Sequence, residues 1–430
     1  MTVSVPMPKR PGAGARDYIV PVLSGFLVVL GAAFPPLTTA CFLMNVAYIF
    51  FAKPAAVYML LFFMVPFAQV YKVLSVTSVS LFTVLELLVV VLYFFKMRRV
   101  SWRFLILLIA WAVYILLGSV SDPMEWVKQI LFPLLVYLFF NYHRPAFKDI
   151  IICLSLGLLV SSAFAVFREQ IPNLSGMLRQ SRLWGVEGVV YRFAGLYGDP
   201  NYYSQVVILS VMSLLGLYAY RKMNWTALAM SAVLVLFGVE TASKSFLLLL
   251  AAVMVFFLLM LVQNNRKGEA ILVLLAGVAV VLLIAVGKIE IFNTMLRRLR
   301  TGDLTTGRLV IWKRYMTYFG ENILRLLFGS GLGAGYYHGM AAHNSYIDLV
   351  YYFGLCGTAI LAVAVSHGVQ LQKEKRVLMN YAPLLCMMAA NMFLSCVLFF
   401  DFPFNIILVL YGLQENFREP DVPTLQERRG

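Results

Sequence analysis

A chain of 430 residues that is 61% hydrophobic and 13% charged, with mean hydropathy +0.84, is excluded from the soluble globular class. Such domains run at about 45–50% apolar and about 25% charged, and a fold of this size has no interior able to hide the excess. The net charge of +15 belongs to short membrane-flanking loops and implies no nucleic-acid partner. Five cysteines, Cys41, Cys153, Cys356, Cys386 and Cys396, lie in apolar stretches without metal or disulfide spacing and read as small packing residues.

The N-terminus, Met1 to Arg16, is short, polar and basic. No small-residue cleavage site follows the apolar run Tyr18–Phe34, which predicts a retained first helix. Apolar spans are predicted at 18–34, 37–52, 55–71, 73–95, 103–118, 126–141, 147–168, 201–220, 224–239, 243–263, 269–288, 344–367, 380–400 and 403–416. The first pair and the last are short, so the expectation is a bundle of about 12–14 transmembrane helices. Backbone groups in hydrocarbon must bond within their own segment, which selects helices. No ten-residue alternation points to a barrel.

Basic positions cluster in alternate connections: Lys9/Arg10/Arg16, Lys53, Lys96/Arg98/Arg99/Arg103, Arg144/Lys148, Arg221/Lys222, Arg266/Lys267 and Lys373/Lys375/Arg376. With fourteen spans all fall on one side, the predicted cytoplasmic side; Lys72 is the exception. The expected organisation is a cytoplasmic segment 1–17, a membrane domain 18–416 with outer loops near 169–200 and 288–343, and a polar cytoplasmic tail 417–430.

In chain order, the first outer loop ends Arg192-Phe-Ala-Gly-Leu-Tyr-Gly198-Asp-Pro-Asn201. Asp199 or Asn201 around Pro200 makes a good helix start, which leaves Arg192 without an account. Thr241-Ala-Ser-Lys244-Ser245 opens a later span. A Lys at a helix N-terminus is electrostatically misplaced; it either snorkels to headgroups or meets an anion.

The second outer loop carries Arg297, Arg298, Arg300, Arg308, Lys313, Arg314 and Arg325 against Glu290, Asp303 and Glu321. Guanidinium forks suit phosphate; the alternative is contact with anionic membrane lipids. Residues 308–319 read as an amphipathic interfacial helix with Ile311, Trp312, Tyr315 and Phe319 toward lipid or core. Leu327-Phe-Gly-Ser-Gly-Leu-Gly-Ala-Gly-Tyr336 would let backbone approach a ligand closely. It is not a P-loop, because no Lys-Ser/Thr follows.

His343-Asn344-Ser345-Tyr346-Ile347-Asp348 then opens an apolar helix. A helix N-terminus keeps an imidazole neutral, as a general base requires. Asn344 or Ser345 reads equally as a plain N-cap. His338 is a partner base or an ordinary loop residue. A metal at this pair is not expected, since only Asp348 is near in sequence to complete a shell.

Four pieces in this order, Arg192…Gly198-Asp-Pro-Asn201, Thr241-Ala-Ser-Lys-Ser245, Thr306-Gly-Arg308…Trp312 with Gly329-Ser-Gly-Leu-Gly333, and His343-Asn-Ser-Tyr346…Gly354…Gly357, resemble the bacterial O-antigen ligase and Wzy-type polysaccharide polymerase family. The resemblance covers roughly residues 190–410. It implies an all-α polytopic inner-membrane bundle, GT-C-like, with amphipathic helices in the long periplasmic loop. It implies an inverting, metal-independent glycosyltransferase with no cofactor. The donor would be an undecaprenyl-pyrophosphate glycan, and the acceptor a second glycan or lipid A-core. A chain-length regulator protein is a candidate partner. By resemblance, His343 is the catalytic base, and Arg308, Lys244, Arg192, His338 and Asn344 bind pyrophosphate or substrate. Members commonly have Arg where Lys244 stands, so this chain keeps the charge and loses the bidentate fork. The Asp-Pro-Asn-Tyr-Tyr203 and His-Asn-Ser-Tyr-Ile347 forms lean toward a polymerase of capsule, O-antigen or exopolysaccharide; ligation to lipid A-core is the alternative. A lipid-linked sugar transporter or flippase is the competing class. It would carry repeats and broken helices charged near the midplane.

Overall fold

The computed structural model describes residues 13–73, 80–118, 123–174, 181–182, 191–285, 307–369, 377–394, 401–415 and 417. The helices in chain order are α1 (Arg16–Leu30), α2 (Pro36–Phe51), α3 (Pro54–Met64), α4 (Ala68–Val73), α5 (Leu81–Lys96), α6 (Trp102–Leu117), α7 (Pro123–Asn141) and α8 (Phe147–Val166). They continue as α9 (Pro200–Ala219), α10 (Trp225–Glu240), α11 (Lys244–Gln263), α12 (Lys267–Ala285), α13 (Arg308–Glu321), α14 (Ile323–Phe328), α15 (Ser345–His367), α16 (Leu378–Asn391) and α17 (Phe402–Gln414). Among the described residues the only extended pairing is β1 (Ser181–Arg182) against β2 (Tyr191–Arg192).

Every expected apolar span meets a helix where it is described, with 55–71 shared between α3, a 3-10 turn and α4, while 74–79, 286–288 and 395–400 lie outside the described residues. Among the described residues, six segments can cross a membrane by length and composition: 54–71, 147–166, 200–219, 244–263, 267–284 and 345–367. The chain is an all-α, multi-pass membrane protein. Of the four cysteines described, Cys41, Cys153 and Cys386 are buried and Cys356 is half-buried, all as free thiols; Cys396 lies outside the described residues, as do the tail beyond 417 and the arginines at 297, 298 and 300.

Helix α9 is the centre, 89% buried, whereas α12 is peripheral at 6%. Lipid tails are as apolar as leucine, so close packing and polar bonds hold such helices together. A Cβ on Gly157 would collide with the Phe63 carbonyl, so its absence lets α8 meet α3 backbone to side. Polar knots add direction. Asn45 Oδ1 accepts from Ser24 Oγ at 2.6 Å and its Nδ2 donates to Tyr71 OH at 3.0 Å. Gln205 Nε2 on α9 donates to Asn391 Oδ1 on α16 at 2.9 Å.

The connections sort into two ends. At one, Ala13 N and Tyr18 OH donate to Asp149, Asn141 Nδ2 to Gly368 O, Arg144 Nη1 to Gln414 Oε1, Arg266 Nη1 to Tyr218 O and Asn380 Nδ2 to Gly412 O. Of the basic connections of the sequence, those of Arg16, Arg144/Lys148 and Arg266/Lys267 meet at these contacts, while Lys9, Arg10, Lys373, Lys375 and Arg376 lie outside the described residues. At the other, Asn173 Nδ2 donates to Ala32 O, Phe193 N to Glu240 O and Ser345 Oγ to Leu394 O. This second end carries the residues singled out as chemical.

Helix α13 turns its apolar face inward. Tyr315 and Phe319 are buried, and Ile311 and Trp312 pack against the core. Its exposed apolar residues are Leu309, Val310 and Met316, continued by Ile323, Leu324 and Phe328 of α14. Helix α15 is broken at Gly354 (φ 62°, ψ −179°). The Tyr351 and Tyr352 carbonyls accept from Ser330 N (2.7 Å) and Gly331 N (3.0 Å), and the Phe353 carbonyl from Tyr114 OH (2.6 Å). The glycine-rich run therefore packs backbone to backbone against the break in α15. Gly329 abuts Gly354, and a Cβ on Gly354 would strike the Leu327 carbonyl and stand 2.5 Å from Gly329 N. We expect Gly354→Ala to cost roughly 1–3 kcal/mol from backbone strain alone, with the steric clash added. Thermal unfolding in detergent should show a clear drop in Tm. Gly277→Ala, whose Cβ meets nothing within 4 Å, is the control and should leave Tm within error. Equal behaviour of the two would refute the packing account.

Candidate functional site

The site grows from two turns. Arg192, only 8% exposed, donates from Nε to Thr241 O at 2.8 Å and from Nη2 to Asn201 Oδ1 at 2.8 Å. The same Asn201 oxygen accepts from Ser243 Oγ at 3.2 Å, and that hydroxyl lies 2.9 Å from Ser245 Oγ. Asp199 caps α9, accepting from Asn201 N at 2.7 Å and Tyr202 N at 3.4 Å, with Pro200 next. Arg192 thus clamps the Gly-Asp-Pro-Asn turn onto the Thr-Ala-Ser-Lys-Ser turn. The sequence left this residue without an account, and its guanidinium bonds chiefly position the two turns. Lys244, half-buried, is the first residue of α11 in that same turn.

Arg308 opens α13 after Gly307. Its guanidinium carbon stands 6.0 Å from the centroid of the Phe393 ring. Its buried Nε has no hydrogen-bond partner among the described residues. Burial pushes the Arg308 pKa down, and the Asp199 carboxylate opposes this. His343 precedes the α15 cap with φ +50°, an uncommon conformation for a non-glycine residue. Its imidazole pKa is lowered, first by burial and then by the Arg308 charge, while Asp199 raises it. Arg308, His343 and Asp199 therefore sit within electrostatic range of one another.

Asn344 takes the cap role. Its Oδ1 accepts from Tyr346 N at 3.0 Å and Ile347 N at 3.2 Å. That oxygen is engaged at the helix start rather than offered to a substrate. Two bonds hold α13 against the strand of chain before His343: Trp312 Nε1 donates to Ala342 O at 2.9 Å, and Tyr315 OH to Met340 O at 2.9 Å. Ser345 Oγ donates to Leu394 O at 2.7 Å, joining α15 to the chain beside Phe393.

His338 lies elsewhere. It is exposed, has its ring centroid 4.3 Å from that of Tyr337 with the planes tilted by 60°, and lines an open cavity of about 490 Å³ with Arg314, Thr317, Tyr337 and Met340. At 100° per residue, Arg308, Trp312, Tyr315 and Phe319 share one face of α13, and Arg314 and Thr317 point away from it. The described part of the arginine cluster accordingly divides: Arg308 turns to His343, Arg314 to His338, and Arg325 to a separate cavity beside Tyr114 and Phe353. Among the described residues, no group of three or more His, Cys, Asp or Glu side chains is placed to hold a metal ion.

Three participants were missed from sequence. Asp199 and Asn201 were read as alternative helix starts without a role in the site, and Phe393 not at all. The crowding of Asp, Asn and Arg within ten residues was a signal for the first two. Nothing local marks Phe393, which reaches Arg308 through tertiary packing.

What the fold and site define is a helical, multi-pass membrane protein with a cationic, histidine-bearing polar centre at one end of its bundle. The chain matches no family model, no curated protein and no solved structure.

Proposed function

We propose that this protein polymerises lipid-linked oligosaccharide repeat units, transferring a growing glycan from undecaprenyl pyrophosphate to the next unit at the outer face of a bacterial cytoplasmic membrane. The observation that carries the reading is the half-buried Arg308, its Nε unpartnered among the described residues, beside a His343 imidazole held neutral. The N-termini of α9 and α11 meet at the Asn201–Ser243 bond, and His343 adjoins that of α15. Helix N-termini and a guanidinium suit an anion.

The chemistry balances in one step. An acceptor hydroxyl oxygen attacks the anomeric carbon and passes its proton to His343. The bond from that carbon to phosphate oxygen breaks, and the pyrophosphate leaves with the electron pair. Its growing charge falls to Arg308, with Lys244 in support, so these cations favour the transition state over the ground state. A single displacement inverts the anomeric centre. Pyrophosphate leaves readily, so no acid–base carboxylate pair of the glycosidase kind is required. The reading includes a bundle of 12–14 crossing helices, GT-C-like, with the basic connections in the cytoplasm. The grouping of those connections at one end supports this orientation.

Ligation to lipid A-core differs only in acceptor. The break in α15 favours a transporter, since broken helices line transport sites. Here, however, the carbonyls at the break are met by Ser330, Gly331 and Tyr114. The glycan profile of a deletion strain tests the reading. Surface glycan of single repeats supports polymerisation, long chains stranded on the lipid carrier indicate ligation, and an unchanged profile rejects both.

A further inference from the structure

We infer that the cavity between the end of α6, α14 and the break in α15 holds an anionic phospholipid of the surrounding bilayer, its chain inside and its phosphate on Arg325. The cavity measures about 470 Å³, within the range of small-ligand sites, and Tyr114, Ile115, Phe328, Leu332, Phe353 and Arg325 are among its walls. Those walls are apolar and aromatic apart from Arg325 and Ser330, and among the described residues no carboxylate lines the cavity.

Its mouth lies in a belt of lipid-facing side chains. Leu117 is 83% exposed, Leu324 68% and Phe328 56%. In a membrane protein such exposure means contact with hydrocarbon or the interface. The Arg325 guanidinium is exposed and makes one long bond, Nη1 to Gly329 O at 3.4 Å, which leaves most of its donors for a phosphate. An interfacial guanidinium over an apolar slot matches a headgroup phosphate and its chain.

The occupant is a bulk lipid and not the glycan donor. The fourteen residues of α13 put about 20 Å between Arg308 and the turn before Arg325, at 1.5 Å per residue. A diphosphate at Arg308 does not reach both. The slot also abuts the Gly329–Gly354 contact, so a bound chain would brace the break in α15.

The test reads binding alone, and so stands or falls apart from the transferase reading. The full protein is purified in detergent, stripped of lipid and titrated by native mass spectrometry with phosphatidylglycerol, phosphatidylcholine or undecaprenyl phosphate. Phosphatidylglycerol should bind about tenfold tighter than phosphatidylcholine, whose choline cation offsets the phosphate charge that Arg325 meets. Arg325→Gln should erase that preference, and Leu332→Trp, which fills the slot, should weaken both phospholipids. Equal binding of the two phospholipids by the unaltered protein overturns the inference. So does a preference that survives Arg325→Gln. Tighter binding of undecaprenyl phosphate, lost in Arg325→Gln, would hand the slot to the donor and overturn it too. Arg325 is at the surface, so its variant folds even where the tryptophan variant does not.

Discussion

Replacing His343 by alanine, with the protein at normal abundance, is expected to stop glycan transfer and leave lipid-linked donor to accumulate. Removing a positioned general base costs about 10²–10⁴-fold. The pH dependence carries a second signature. Burial and the Arg308 charge lower the His343 pKa below the ordinary 6.5, so the imidazole is neutral and basic at pH 7. Activity should fall on acidification only as pH passes through that lowered value. Asp199→Asn keeps a good helix cap but removes the one charge that raises this pKa. The acid limb of kcat/KM should then move to lower pH. In Arg308→Gln the residual activity should show the limb at higher pH. A limb that ignores both substitutions would detach His343 from the acid–base step, as would full activity in the alanine variant.

The second large effect is expected at Arg308. Deleting a preorganised donor to developing negative charge costs about 10²–10³ in kcat. Arg308→Ala should show that loss with little change in donor KM. Arg308→Lys should recover only part of it, because an ammonium keeps the charge and loses the planar fork. Stability should not follow activity. The buried Arg308 Nε bonds to nothing described, so its removal strands no partner, and Tm should hold or rise. A variant that loses activity and Tm together would assign Arg308 a structural role.

The helices were legible because hydrocarbon leaves the backbone one choice and apolar runs mark its length. All fourteen expected spans meet helices on these grounds. The turn chemistry of Asp199-Pro200 and the cap at Asn344 were legible too, since both are local patterns. The break at Gly354 was not. One glycine within an apolar run reads as helix, and only the distant 328–331 segment makes an open turn tolerable there. The contact made by the glycine run was hidden for the same reason, since it joins Gly329 to Gly354 on a helix 25 residues on. The inward face of α13 was left open by a sequence apolar on more than one side. The sequence gathered Arg308 and His343 through resemblance. It could not separate His338 from them, because the four residues between His338 and His343 can turn either way round a helix.

The account's central claim is that a cation and an imidazole act together on a lipid diphosphate. It is tested most directly by the purified protein, reconstituted in vesicles with one undecaprenyl-pyrophosphate-linked repeat unit. The glycan is then sized by mass spectrometry. We expect ladders of two or more repeats and release of undecaprenyl pyrophosphate, both lost in Arg308→Ala and His343→Ala. Repeat units that cross the bilayer unlengthened, or that lengthen equally in both variants, would contradict it.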